Sequence, residues 1–143
     1  MNKGRHMFSR LVFGCTLFCA LTAGASAATV EVRVSGVMAG KGKINVALCD
    51  KERFLKQCGY SGSAPAKGTD TVITLKDIPA GSWAVMAYQD ENENNELDRS
   101  FIGIPKENYG FSRDARGKFG PPGFEDAAIE VKEGTTVAPV KLK

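Results

Sequence analysis

The sequence predicts an all-β fold: a single antiparallel β-sandwich of about seven strands, immunoglobulin- or transthyretin-like, with one short helical turn. Three observations predict it. Several short runs alternate apolar and polar residues, clusters of Gly, Pro and Asn separate those runs, and one stretch alone carries helical spacing. The chain has 143 residues, 43% hydrophobic and 24% charged, a balance that disordered and collagen-like chains do not have.

Residues 1–27 read as a secretory signal peptide. They open on a basic start (Lys3, Arg5, Arg10), continue in the apolar stretch Leu11–Leu21, and close on Ala25-Ser26-Ala27, which fits the A-x-A cleavage pattern. The apolar stretch is far shorter than the roughly 20 residues a helical span needs. No later segment is apolar enough to cross a bilayer, so the mature chain, 28–143, is expected to be one domain without a transmembrane segment, periplasmic or secreted. The formal charge of +3 also belongs to the leader. Without its three cations the remaining Lys and Arg balance the 16 acidic residues. A neutral chain has no general attraction to a phosphate backbone, so nucleic acid is excluded as a partner.

Thr29–Val37 alternates, with Val30, Val32 and Val34 on one face and Glu31, Arg33 and Ser35 on the other, the pattern of a half-buried strand. Ala39–Gly42 supplies a turn, and Lys43–Cys49 alternates again through Ile44, Val46 and Leu48. The two strands are expected to pair as a hairpin. Asp50–Gly59 breaks the period. Asp50 suits a helix N-cap, Phe54, Leu55 and Cys58 share a helical face, and Gly59 suits a stop. Ser61–Gly68 reads as a loop and Thr71–Leu75 as a strand. In Ser82–Gln89 both faces are apolar, which marks a central strand. Residues 99–123 form a long glycine- and aromatic-rich segment. Ala127–Val131 and Thr136–Leu142 complete the sheets, and Pro139 places the last strand at an edge.

Export gives the cysteines their meaning. Cys15 and Cys19 leave with the leader, while Cys49 and Cys58 remain as an even pair in an oxidising compartment and are expected to form a disulfide. Their spacing is not C-x-x-C, so no redox motif is indicated. His6, in the leader, is the one histidine. The mature chain therefore holds no Ser-His-Asp or Cys-His pair and no histidine-based zinc site.

Two segments carry chemistry. In Asp90–Asp98, side-chain oxygens recur at Asp90, Asn92, Asn94 and Asp98, positions 1, 3, 5 and 9 of an EF-hand-type loop, with the carbonyl of Glu96 at position 7. Calcium takes six to eight hard oxygens, and alternating oxygen-bearing residues on a curled loop can supply them. Calcium is the expected cofactor, in a structural role. Position 12 is Phe101 instead of a bidentate Glu, so a further ligand must come from elsewhere: Glu107, Asp114 or Asp126. Asn95 holds the sharp-turn position and tolerates left-handed backbone. The second segment, Phe101–Phe124, interleaves aromatics with Lys106, Arg113, Arg116 and Lys118. It is expected to be ordered, with Phe101, Phe111 and Phe124 buried and its cations either folded over the acidic turn or exposed. Its binding face is expected to comprise Tyr109, Arg113, Arg116 and Lys118, for a small molecule, glycan or envelope protein.

Five stretches together, INVALCD (44–50), IPAGSWAVMAYQD (78–90), the acidic loop, FIGIPKENYGF (101–111) and FGPPGFEDA (119–127), resemble a bacterial family of small exported proteins, the domain-of-unknown-function family 2141. Asn95 stands where such proteins tend to carry Gly. The resemblance implies no activity. The pattern around Pro79–Val85 is also similar to transthyretin-type sandwich modules, which bears on fold alone. The leading expectation is an exported, non-catalytic binding or structural module. The alternative is a histidine-free hydrolase acting on cell-envelope carbohydrate through Asp90 and Asp98, assisted by Tyr109 or Arg113. A third reading is a carrier of a small ligand beneath the long loop.

Overall fold

The computed structural model describes residues 26–143; most of the stretch 1–27 expected to be a signal peptide lies outside them, as do Cys15 and Cys19. Eight strands and one short helix follow in order: β1 (Ala28–Ser35), β2 (Lys43–Cys49), β3 (Tyr60–Pro65), β4 (Asp70–Ile78), β5 (Gly81–Asp90), β6 (Tyr109–Phe111), α1 (Phe124–Ala127), β7 (Ala128–Val131) and β8 (Thr135–Lys141). They form a three-stranded sheet, β4-β1-β8, and a five-stranded sheet, β3-β2-β5-β6, with β7 also on β5. The all-β sandwich expected from the sequence is present.

The alternation of each strand builds the core between the sheets. Val30, Val32 and Val34 from β1 meet Ile44, Val46 and Leu48 from β2, together with Ile73, Leu75, Val85 and Val140. β1 and β2 do not pair as a hairpin, however. β1 pairs with β4 and β8, and β2 with β3 and β5. Their apolar faces confront each other across the core, and the Gly36–Gly42 connection crosses from one sheet to the other. Gly36 (φ 75°) and Gly42 (φ 59°) take the left-handed conformations that this crossing needs. Buried Gln89 holds it, its amide donating to the carbonyls of Met38 (2.8 Å) and Lys41 (2.7 Å).

β3 falls in the stretch expected to be a loop. Its inward positions are Tyr60, Gly62 and Ala64, so small residues conceal the alternation. A Cβ on Gly62 would stand 3.0 Å from side-chain carbons of both Ile73 and Leu75, so the bare glycine lets the sheets approach here. The fold is not wholly antiparallel: β1 and β8 run parallel. β8 is an edge strand of its sheet, as Pro139 suggests.

The central position of β5 follows from its two apolar faces. Trp83, Val85 and Ala87 enter the main core, while Ala84 and Met86 belong to a second cluster with Cys49, Phe54, Phe111, Ala115 and Ala127. That cluster is roofed by the Asp50–Cys58 segment, which forms consecutive turns in place of the expected helix. Asp50 still caps it locally, accepting from the Arg53 amide (2.9 Å), but Leu55 turns left-handed (φ 61°) and leaves the Phe54 face for solvent. Cys49 and Cys58 are joined by a disulfide, which ties the roof to β2. Phe54 packs edge-on against Phe111 (6.0 Å) and Phe124 (5.7 Å).

Candidate functional site: the Asp90–Asp98 loop

β5 ends on Asp90 and the chain curls at once. The Asp90 carboxylate is fully buried. Its Oδ1 accepts from the Asn94 amide (3.1 Å), and its Oδ2 accepts from the Asn95 amide (2.8 Å) and the Asn45 side chain (3.2 Å). Asn92 Oδ1 then accepts from the Asn94 amide (3.3 Å), and Asn94 Oδ1 from the Glu96 amide (2.9 Å). Two left-handed residues, Glu93 (φ 59°) and Asn95 (φ 64°), provide the curl, so Asn95 does occupy the sharp-turn position assigned to it. The side-chain amides of Asn92 (2.6 Å) and Asn94 (2.9 Å) both donate to the Asp98 carboxylate. Asp90, Asn92, Asn94 and Asp98 are thus gathered by one hydrogen-bond network. The Glu96 side chain is exposed and stands outside it.

Glu107 closes the loop. It is 7% exposed, and its Oε1 accepts from the Glu91 amide (2.9 Å) while its Oε2 accepts from the Asp98 amide (3.0 Å). Of the three acids expected as the extra ligand, this is the one the fold brings in. Asp114 pairs with Lys143 (3.1 Å) and Arg116 (3.2 Å), bonds that hold its carboxyl below the ordinary 3.8. Asp126 accepts from the Gly123 amide (3.1 Å) at the start of α1. Phe101, at position 12, is wholly exposed.

β2 supplies two neighbours, Lys43 and Asn45, and β5 a third, Tyr88, that the sequence reading left aside. Lys43 lies opposite Asp90 and Asn45 opposite Tyr88 in the β2–β5 register. Lys43 donates to the Asn95 side chain and stands 4.0 Å from Asp90 Oδ2. Asn45 donates to the Tyr88 hydroxyl (3.0 Å) as well as to Asp90. The available signal was a polar residue at alternate, outward positions of β2. The Tyr88 phenol is pushed above its ordinary 10.0, first by burial, with the negative charges of Asp90, Glu107 and Glu96 adding to the rise against the Asn45 hydrogen bond. Three carboxylates therefore act on one hydroxyl at the base of the loop.

The long segment departs from expectation at Phe101, and its cations take the second of the two courses open to them. Phe111 is buried and Phe124 half-buried, but Phe101 is fully exposed. Phe101 lies in a tight turn just beyond the acidic loop, before the chain rejoins the sheet. The cations of 99–118 also do not fold over the acidic turn. Lys43, with Lys41 at 3.8 Å from Glu91, takes that role. The reason is direction: β6 runs back along β5 from Tyr88 to Met86, so Arg113, Arg116 and Lys118 follow on the way from the loop. Tyr109 packs edge-on against Phe111 (6.0 Å), Arg113 donates to the Glu125 carbonyl (3.0 Å), Arg116 pairs with Asp114, and Lys118 is exposed. These four occupy one stretch, but the first three have separate partners and nothing draws Lys118 to them.

Chemically, the loop offers oxygens. Among the described residues no three His, Cys, Asp or Glu side chains form a group able to hold a metal, so a cation here depends on amide and carbonyl oxygens beside Asp90 and Asp98. That donor set is hard and suits calcium, and the donors are already drawn together. Because Asp90 is fully buried, Asp90 and Asp98 do not present two accessible carboxylates to a sugar. Two shallow depressions, of about 570 and 530 Å3, are lined by Asp50, Ser82 and Phe124 and by Tyr60, Thr74 and Leu75 among others; the first meets the long segment at its last residue, Phe124, alone, and the second does not meet it. No helix among the described residues is long and apolar enough to cross a membrane.

Fold and loop define a small β-sandwich protein that carries an oxygen-rich, carboxylate-clamped loop at one end of its central strand. The family model for an uncharacterized protein conserved in bacteria (DUF2141) matches residues 32–138, and the chain belongs to that family. No curated protein and no solved structure matches it.

Proposed function

We propose that the protein is an exported, non-catalytic binding or structural module whose Asp90–Asp98 loop takes up calcium. The observation that carries this reading is the preorganised loop: Asp90 and Glu107 hold four loop amides, Asn95 makes the sharp turn, and Asn92, Asn94 and Asp98 meet. Glu107 brings a carboxylate to a loop whose position 12 lacks one. Asp90, Asn92, Asn94, Asp98 and the Glu96 carbonyl are the oxygens that would serve the ion, whose role would be to stiffen this end of the sandwich. Export is supported by the 1–27 pattern and by the Cys49–Cys58 bridge, which belongs in an oxidising compartment.

Calorimetry tests the ion. Calcium binding is expected in the range of extracellular modules, roughly 0.1–1 mM. Asp98→Ala should abolish the heat, and Glu93→Ala, an exposed acid outside the network, should keep it. Equal heats from the wild type and Asp98→Ala would end the reading.

A further inference from the structure

The acidic loop runs directly into a small hairpin that stands clear of the sandwich. Lys106 donates its amide to Asp98 (2.8 Å), Arg99 bridges Pro105, Ser100 donates to Ile104 (2.8 Å) and Gly103 to Ser100 (2.8 Å). The Ser100 hydroxyl oxygen accepts from the Ile104 amide (3.2 Å), and the Arg99 guanidinium donates to the Gly103 carbonyl (3.1 Å). The turn so made leaves Phe101 (100%), Ile102 (64%) and Ile104 (58%) in solvent. A Cβ on Gly103 would meet nothing within 4 Å, so the tip is open. Isolated exposed apolar side chains are ordinary on a folded protein. Three large ones within four residues of a protruding turn are not, and such a cluster marks an interaction site.

We infer that residues 99–105 form a membrane finger that docks the protein on an anionic lipid surface. The inference rests on the calcium reading above for its dependence on the ion. The tip is convex, so its partner must close around it, as the interfacial region of a bilayer does. Bonds at Ser100, Gly103 and Ile104 hold the turn, and the backbone groups of Phe101 and Ile102 are left to water and headgroups, so the tip seats in the interfacial region and not in the hydrocarbon. Exposed Arg99 and Lys106 flank the apolar residues in sequence; Lys106 stands at the base of the hairpin, and the Arg99 guanidinium reaches along it to the Gly103 carbonyl, so both cations are available to headgroups. Glu93 and Glu96, exposed in the adjoining loop, would repel those headgroups until a divalent cation offsets them. Glu107 anchors the assembly by holding the amides of Glu91 and Asp98. The finger also follows the loop at the end of the sandwich opposite the chain's entry. β1 begins at Ala28 and ends at Ser35, and the crossing from Ser35 leads to Lys43, which lies opposite Asp90.

Vesicle co-sedimentation of the purified protein tests this, with vesicles of phosphatidylethanolamine and phosphatidylglycerol, vesicles of phosphatidylcholine alone, and calcium or a chelator in each. Binding is expected to the anionic vesicles in calcium and to be weaker by about tenfold or more for Phe101→Ser/Ile102→Ser. Both side chains are exposed, so the variant should melt with the wild type. Failure to bind anionic vesicles in calcium overturns the inference, which would leave the tip to a protein pocket. Undiminished binding by the double variant overturns it too. Binding that is equal in calcium and chelator but lost in the double variant supports the finger and counts against the calcium loop, so the two ideas fail separately.

Discussion

Tyr88 stands where the charges of the loop meet the sheet, and its phenol reports on them. Burial and the nearby carboxylates of Asp90, Glu107 and Glu96 raise its pKa above 10.0, so the fold favours the neutral phenol over the phenolate. The resulting contribution to stability is complete below pH 10.0 and is lost as pH rises through the folded-state value. Absorbance titration should show a late tyrosine step, and Tyr88→Phe should remove it. Calcium in the loop would offset the carboxylates, so the same titration with calcium should shift Tyr88 downward. A second contrast at this scale concerns two phenylalanines ten residues apart in one segment. Phe111, 7% exposed and packed between Phe54 and Tyr109, should cost about 3–5 kcal/mol when cut to Ala. Phe101→Ala should leave the melting temperature within a degree or so, since the side chain is fully exposed. Chemical denaturation of the two variants checks both.

Between elements, two connections decide how the sandwich closes. The first is the Cys49–Cys58 bridge, with a sequence separation of 9. Chain entropy gives a loop of that size roughly 2–3 kcal/mol. Replacing both cysteines by Ala should lower stability by about that amount, and the loss should loosen the roof over Phe111 before the main core. Hydrogen exchange would then show amides of 50–58 and 111–115 exposed first. The second is the seam between β6 and β8, where Tyr109 and Lys143 exchange backbone hydrogen bonds and Ser112 bridges Val140. This joins the two sheets along one side. The seam requires Gly110: a Cβ there would stand 2.2 Å from the Lys141 carbonyl oxygen, backbone that has no way to give. Gly110→Ala should therefore cost several kcal/mol, more than a glycine-to-alanine change in open space, such as Gly120→Ala, in the same denaturation assay.

For the whole molecule, what was legible in the sequence follows from how much each residue must say. Val30–Val34, Ile44–Leu48 and Ser82–Gln89 announce strands because large side chains must be buried on alternate positions, and the doubly apolar β5 announces two cores. β3 is silent because its inward residues include Gly62 and Ala64, and β6 because three residues are too few for a period. Pairing partners were less legible still. A short turn between β1 and β2 suits a hairpin and a crossing equally, and the confrontation of their valines across the core chose the crossing. In the loop, Asp90, Asn92, Asn94 and Asp98 were legible by spacing, whereas the choice of Glu107 over Asp114 and Asp126 depends on β6 returning to β5, a long-range event. That return makes the loop part of the sheet's end instead of a free excursion. An ion held there should consequently stabilise the whole fold, since unfolding would release it. With an affinity of roughly 0.1–1 mM, about 10 mM calcium adds about 1.4–2.7 kcal/mol by mass action, a rise of several degrees in melting temperature for a chain of this size. Magnesium should do less, because it demands a stricter octahedron than amide and carbonyl oxygens on a curled loop provide. Asp98→Ala should lose the calcium-dependent rise while melting near the wild type in chelator, because its carboxylate bonds to the side chains of Asn92 and Asn94 within the exposed loop. A rise of the same size in wild type and variant would place the ion elsewhere on the protein.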